Sequence, residues 1–343
     1  MSQIVIEDFR PEVDAFLNRS TIICGASNSG KSTVIRDILH LLRGTADQII
    51  VFAPTDSQNG TYECMIPKPF IHYTISADIL KELCERQMAL SAVVKRANNL
   101  STLREALKFA RNTGEAEKKL ASIDALQKKR LSELNAESKL IEGKTIKADA
   151  DNARKAIYKR AIIKSRNSII NNDSASEDVK FAAKYLSFNP NMVVIFDDCT
   201  VLLDKLKNNS DLGNMFFQGR WMNITLLLAC HTDKTLSPQL KRNAFSIVFT
   251  SHAETIAYCG RESTGMQRED RRKLNEICNI VFDNPVKKHQ KLIWLREKNK
   301  FQRYQPMVHE DFSFVSDSIA QFAEKIGADT SVNCSNSYSG LFV

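Results

Sequence analysis

Residues 25–32 read Gly-Ala-Ser-Asn-Ser-Gly-Lys-Ser, with Gly25, Gly30, Lys31 and Ser32 at the fixed positions of the pattern G-x-x-x-x-G-K-[ST]. The chemistry of that spacing is phosphate binding. A glycine-rich turn lets backbone N–H groups approach a polyanion closely. A lysine meets the β- and γ-phosphates, and a hydroxyl reaches the accompanying Mg²⁺. Gly25, Ala26, Ser27, Asn28, Ser29, Gly30, Lys31, Ser32 and Thr33 are therefore the expected cradle, with ATP and Mg²⁺ as the expected ligands. At ordinary residue frequencies the four fixed positions arise by chance in roughly one chain in a hundred of this length, so the flanking sequence has to decide.

A second set of residues suits the same chemistry. Met192-Val193-Val194-Ile195-Phe196-Asp197-Asp198 is an apolar strand pattern ending in two acids. Mg²⁺ takes oxygen ligands, and a carboxylate at a strand tip beside a phosphate loop supplies one. Asp197 is expected in that role, with Ser32 as the hydroxyl ligand, and Asp198 as the general base that takes a proton from the attacking water. Ile224-Thr225-Leu226-Leu227-Leu228-Ala229-Cys230-His231 is another buried-strand pattern with a polar tip. His231 is expected to orient the water or sense the γ-phosphate. Arg220, just before that strand, and Arg242, after the loop beyond it, are candidates for an arginine finger donated to a neighbouring subunit.

Elements must hold these residues. Ser20-Thr21-Ile22-Ile23-Cys24 predicts a buried strand directly before the loop, and the apolar spacing of Val34, Ile35, Ile38, Leu39 and Leu42 predicts a helix after it, stopped near Gly44. Further strands are expected over 47–53, 70–74, 192–196, 224–230 and 245–250, and a hairpin over 291–305. Helices are expected from Ser76 onward, over about 176–186, and over 312–326. The last residues, after Gly327, are Ser- and Asn-rich and read as a loose tail.

The stretch from Ala77 to about Arg166 differs from its surroundings. It lacks proline and is rich in Lys, Glu, Ala, Leu and Arg. Residues 101–170 hold 17 Lys and Arg against 9 Asp and Glu, a net +8 that equals the net charge of the whole 343-residue chain. Leu120, Ile123, Leu126, Leu131, Leu134 and Ile141 recur at helical steps, without a clean heptad. The expected structure is an amphipathic helix or helical hairpin. It serves either as a contact arm for nucleic acid or a subunit, or as a solvated basic insertion.

Composition narrows the class. The chain is 43% hydrophobic and 26% charged, which is globular. No apolar run is long enough to span a membrane. The start, Met-Ser-Gln-Ile-Val-Ile-Glu-Asp, has no secretory pattern. The eight scattered cysteines form no C-x-x-C pair or zinc spacing, which suits a reducing compartment and an intracellular location.

The order of segments resembles a known group. Ile-Ile-Val-Phe-Ala-Pro-Thr (49–55) and Val-Val-Ile-Phe-Asp-Asp-Cys (193–199) come after the phosphate loop. Phe-Gln-Gly-Arg-Trp-Met-Asn-Ile-Thr (217–225) and Leu-Ser-Pro-Gln-Leu-Lys-Arg-Asn (236–243) come next. Together they resemble the genome-packaging ATPases of large DNA viruses, poxvirus-type enzymes among them, in the FtsK–HerA superfamily. The resemblance covers roughly 18–76 and 190–306, and the Gly-Arg-x-x-x-Ile-Thr and Pro-x-x-x-Arg-Asn segments narrow it.

It implies an α/β, RecA-like P-loop NTPase fold of the ASCE type, with a mainly parallel sheet in the order 5-1-4-3-2. It also implies a pentameric or hexameric ring that hydrolyses ATP to drive double-stranded DNA into a capsid. Partners at a capsid vertex or the inner membrane of a virion are implied by the same likeness, as is residence in host cytoplasm, virus factory or virion. The resemblance carries Lys31 and Ser32 over as the Walker A pair, Asp197 as the Mg²⁺ acid and Asp198 as the base.

Two positions depart from the pattern. His231 stands where the family has glutamine, and Trp221 stands where Gly-Arg-His is usual. The expected organisation is an ATPase core over 1–76 and 171–310, a basic helical insertion over 77–170, and a C-terminal helix with a tail over 311–343. The competing reading is a nucleotide-gated oligomeric scaffold, or another DNA-acting P-loop ATPase of SMC-like or helicase-like kind. The SMC-like form lacks its L-S-G-G-Q-type signature here.

Overall fold

Alternate residues of the inner strands enter different cores. Ile22, Ile50, Phe52, Val194, Phe196, Leu226, Leu228, Ile247 and Phe249 fall in one apolar cluster. Ile23, Ile49, Val51, Val193, Ile195, Leu227 and Val248 fall in a second. Side chains of a strand point to opposite faces in turn, so a strand that is apolar at every position must be covered on both sides. That is why the runs read from the sequence as continuous rather than alternating.

The protein is described here from a computed structural model, over residues 4–110, 113–231, 236–261, 264, 266, 268–283 and 289–328. One sheet contains β1 (Ser20–Cys24), β2 (Gln48–Phe52), β3 (Ile71–His72), β4 (Met192–Asp197), β5 (Ile224–Cys230), β6 (Ser246–Phe249), β7 (Lys291–Leu295) and β8 (Lys300–Tyr304). The strand order is β3-β2-β4-β5-β1-β6-β7-β8. Strands β3, β2, β4, β5, β1 and β6 run parallel. The pairs β6–β7 and β7–β8 are antiparallel. Numbered among themselves along the chain, the five inner parallel strands from β6 to β2 stand 5-1-4-3-2.

The helix Lys31–Leu42 comes directly after the loop that leaves β1 and buries Val34, Ile35, Ile38, Leu39 and Leu42 in the second cluster. At the other edge, the β7–β8 hairpin turns through Asn299, whose φ of 44° is left-handed. Its side chain accepts from Trp294 Nε1 at 3.2 Å, and the Trp294 ring stacks on Phe301. The C-terminal helix runs Asp317–Ala328 and so begins later than its apolar pattern predicts. Phe312, Phe314 and Val315 precede it and are spent on the core instead. The tail beyond residue 328 lies outside the described residues.

The chain divides into two units, one of residues 1–88 with 190–343 and one of residues 89–189. The second unit contains the helices Leu100–Phe109, Thr113–Glu133, Ser138–Ile170 and Glu177–Tyr185. It has its own apolar cluster, with Leu103, Leu107, Tyr158, Ile162, Ile169, Val179 and Leu186 buried. Ser176 caps the last of these helices by accepting from Val179 N. Leu126 and Leu140 remain 50% and 72% exposed. The weak heptad thus corresponds to a thin helical pair rather than to a deep seam.

Candidate active site

The loop is held in shape by its own side chains and by β6. Gly30 caps the helix Lys31–Leu42 with φ 90°, and Asn28 also lies in the left-handed region at φ 59°. A Cβ on Gly25 would sit 1.9 Å from Thr250 Oγ1 and 2.4 Å from Ser29 Oγ, so no side chain fits there. Thr250 Oγ1 lies 2.8 Å from Ser29 Oγ and 3.2 Å from Cys24 O, fastening the loop to the ends of β1 and β6. Lys31 is buried, and its ammonium donates to Gly25 O at 3.1 Å and Ala26 O at 3.0 Å. A turn whose N–H groups lead into a helix N-terminus is an anion cradle.

The two acids stand at the end of β4, two strands away in the sheet. Asp197 ends the strand, and its Oδ2 accepts from the buried Tyr62 hydroxyl at 2.8 Å. Burial raises the Asp197 carboxyl above the ordinary carboxylate range, and neighbouring Asp198 adds to the rise. The Tyr62 hydrogen bond and the Lys31 charge act in the opposite direction. Asp198 has φ 52°, a left-handed conformation that Asp tolerates better than most residues.

His231 joins the two halves. Its Nδ1 lies 3.4 Å from Lys31 Nζ, and its Nε2 lies 2.7 Å from Asp198 Oδ1. The second approach is close in distance but off the hydrogen-bonding direction, since Asp198 Oδ1 has no hydrogen-bond partner among the described residues. An ammonium can only donate, so Nδ1 is the acceptor and Nε2 carries the proton. The phosphate loop, Asp197, Asp198 and His231 therefore converge at the carboxyl edge of the parallel sheet, where open α/β sheets bind ligands.

Four further residues stand at this edge that the sequence does not single out as part of it. Tyr62 and Thr250 are two of them. Asp56, after β2, is buried, and its Oδ1 accepts from Thr61 N at 2.7 Å and Tyr62 N at 3.3 Å. Its Oδ2 has no hydrogen-bond partner among the described residues, and burial raises its carboxyl above the usual range. Asp56 comes just after a parallel strand, and that position is the signal that could have marked it. Lys291 opens β7, and its Nζ donates to Ser29 O at 2.7 Å. The sequence shows it only as one basic residue among many.

The two arginines lie elsewhere. Arg220 precedes β5 and Arg242 stands near the end of the short helix Pro238–Asn243 before β6, so both stand at the amino edge of parallel strands. A five-residue strand is about 17 Å long, so neither reaches the phosphate loop of its own chain. Both are exposed, and Trp221 beside Arg220 is 78% exposed.

The strand order, the phosphate loop, the strand-tip acids and the polar tip of the strand between them define a RecA-like P-loop NTPase fold of the ASCE type. No protein-family model matches the chain. It is 25% identical over 357 aligned positions to uncharacterized protein B354L of African swine fever virus (isolate Tick/Malawi/Lil 20-1/1983), covering 98% of this chain and 96% of that protein. A 74-residue stretch is 34% identical to uncharacterized protein L437 of Acanthamoeba polyphaga mimivirus, covering 22% of this chain and 26% of that one. Among solved structures it is similar to the genome-packaging NTPase B204 of Sulfolobus turreted icosahedral virus 2. That match has 14% identity, 85% and 98% coverage, and a TM-score of 0.38. It is also similar to the pCW3 conjugation coupling protein TcpA, with 16% identity, 91% and 65% coverage, and a TM-score of 0.40.

Proposed function

We propose that this protein is an ATP-hydrolysing motor that moves double-stranded DNA into a viral capsid. It works as a ring of identical subunits inside the infected cell. The observation that carries hydrolysis is the chain of neighbours Lys31–His231–Asp198, which ties the phosphate-binding lysine to the strand-tip base. A site that only bound nucleotide would not need a strand-tip carboxylate beside a histidine that also accepts from the lysine.

The residues suit a magnesium–nucleotide. Among the described residues no group of three or more His, Cys, Asp or Glu side chains forms a metal site. Mg²⁺ that arrives with a triphosphate needs only one or two protein oxygens. The exposed Ser32 hydroxyl at the helix start and the Asp197 carboxylate would supply those oxygens. The ion would neutralise charge on the phosphates. Lys31 exchanges its two loop carbonyls for phosphate oxygens, and Asp198 accepts the proton of the attacking water. His231 stands beside Asp198 and accepts from Lys31, so it reports the state of Lys31.

DNA translocation is supported by the Gly-Arg-x-x-x-Ile-Thr and Pro-x-x-x-Arg-Asn segments and by the charge distribution. Residues 89–189 hold 21 Lys and Arg against 12 Asp and Glu, a net +9 in a chain of net +8, which leaves −1 for the ATPase unit. A basic unit carried by a near-neutral motor fits a polyanionic track.

ATPase rates with and without double-stranded DNA test the proposal in the parent, Lys31→Ala, Asp198→Asn and His231→Ala. The expected result is stimulation by DNA in the parent and loss of about a hundredfold or more in the first two variants. His231→Ala should lose activity less severely and lose its response to DNA. A DNA-independent rate untouched by Asp198→Asn sinks the motor and leaves the scaffold.

A further inference from the structure

Among the described residues, Lys291 is a buried cation without a counter-charge. It is 4% exposed, and its ammonium donates to Ser29 O. No carboxylate among the described residues pairs with it, and burial alone shifts its pKa, downward. Lys31, by contrast, has Asp197 near enough to influence that acid's titration. A buried ammonium held only by a carbonyl is costly unless an anion joins it. The ammonium also hugs the turn: a Cβ on Gly30 would come within 3.2 Å of Lys291 Nζ. The anion cradle and the unpaired cation are thus in contact.

Sheet order says which part of a nucleotide this cation meets. From β4 the strands run β5, β1, β6, β7. Asp197, Asp198 and His231 approach the loop from the β4 and β5 side, and Lys291 approaches from the β7 side. Hydrolysis takes place at the γ end, beside the acids. With the γ end proposed beside the acids, the far side of the loop is left for the phosphates nearer the ribose.

We infer that Lys291 is a second phosphate-binding lysine, gripping the α- and β-phosphates that survive hydrolysis, so that it holds nucleoside diphosphate and triphosphate alike. The inference rests on the nucleotide site proposed above. Lys31 serves the transition state; Lys291 serves binding. An interaction equal in ground and transition states changes KM and product affinity and leaves kcat alone. Because Lys291 sits on an antiparallel strand rather than in the loop, it also makes diphosphate retention sensitive to the β7–β8 hairpin.

The test is equilibrium binding of ADP and of a non-hydrolysable ATP analogue to the full chain, with steady-state ATPase rates, for the parent, Lys291→Met, Lys291→Arg and Lys31→Ala. Lys291→Met should weaken both nucleotides by a similar factor of roughly tenfold to a hundredfold, the range of a charged hydrogen bond. It should raise KM and leave kcat unchanged or higher, while Lys291→Arg restores most of the affinity. Lys31→Ala should collapse kcat. Thermal unfolding without nucleotide should show Lys291→Met as stable as the parent. If it does not fold, Lys291→Gln, which keeps a donor for Ser29 O but no charge, decides in its place. Unchanged ADP affinity in the charge-removing variant overturns the inference, as does a fall in kcat at constant KM. A parent that binds neither nucleotide overturns the nucleotide site itself, which is a different outcome.

Discussion

At the residue scale, the carboxyl edge sets three carboxyl groups close together, two of them buried. Asp56, Asp197 and Asp198 lie near one another, and the first two have their carboxyls raised by burial before anything else. A raised folded value means that the folded protein binds these protons more tightly than the unfolded chain. Their stabilising contribution is full below the ordinary carboxylate range, about pH 4, and is lost as pH rises through the folded values. At neutral pH they are a liability that a bound cation would relieve. Asp56→Asn keeps the acceptor used by Thr61 N and Tyr62 N and removes the charge on the unpartnered oxygen. Nucleotide-free protein carrying it should be more stable than the parent at pH 7 and lose part of the pH dependence just above pH 4. The stabilisation conferred by Mg²⁺ and nucleotide should shrink. Melting curves at several pH values, with and without ligand, check both parts.

At the element scale, the direction of each strand sorts the candidate residues. A residue just after a parallel strand stands at the site, and one just before it stands at the opposite edge. Arg220 and Arg242 precede β5 and β6, so an arginine finger from either must serve another subunit. The exposed Trp221 next to Arg220 fits this arrangement, since tryptophan is a common anchor of interfaces. Mixing two inactive variants tests it. Mixing Lys31→Ala with Arg220→Ala protein should regain part of the ATPase rate if the chain works as the proposed ring, because mixed assemblies then contain sites with both residues intact. Arg242→Ala is the parallel case. Trp221→Ala should lower the mass of the assembly in light scattering. No regain in either mixture removes the trans role.

At the scale of the whole molecule, the two units divide the electrostatic labour. The basic excess belongs to residues 89–189, and the helix Ser138–Ile170 has no acid between Asp151 and its end. Lys155, Lys159 and Arg160 are exposed there. Reversing these three to glutamate should weaken DNA binding and lower the slope of log affinity against log salt by about 0.9 for each phosphate no longer neutralised. The DNA-free ATPase rate should stay at its parent value. An unchanged slope makes this helix a solvated face.

Much of the chain is legible one segment at a time. Residues 25–33 announce a phosphate loop because the geometry of that turn is written in its own glycines and in the strand and helix beside it. The acids Asp197 and Asp198 are legible because an all-apolar strand ending in carboxylates is a local pattern. Local patterns also mark β1, β2, β4, β5 and β6, since a strand apolar on both faces needs no partner to be recognised, and the polar run Glu297-Lys298-Asn299-Lys300 marks the turn of the β7–β8 hairpin. The short helices Thr200–Lys205, Ser210–Gln218 and His252–Cys259 escape such patterns, because their apolar runs are too brief to show a period.

Sequence alone therefore determined that a phosphate-loop pattern follows a buried strand and that two acids stand at the tip of another strand. Only the tertiary structure decided the rest of the site. Lys291 reaches Ser29 across 262 positions, and Tyr62 reaches Asp197 across 135. No spacing rule joins residues so far apart. Sheet order joins them, and that order is set by which buried strands pair, a property of the whole fold rather than of any segment. The same order carried His231 between Lys31 and Asp198 and sent Arg220 and Arg242 to the other edge.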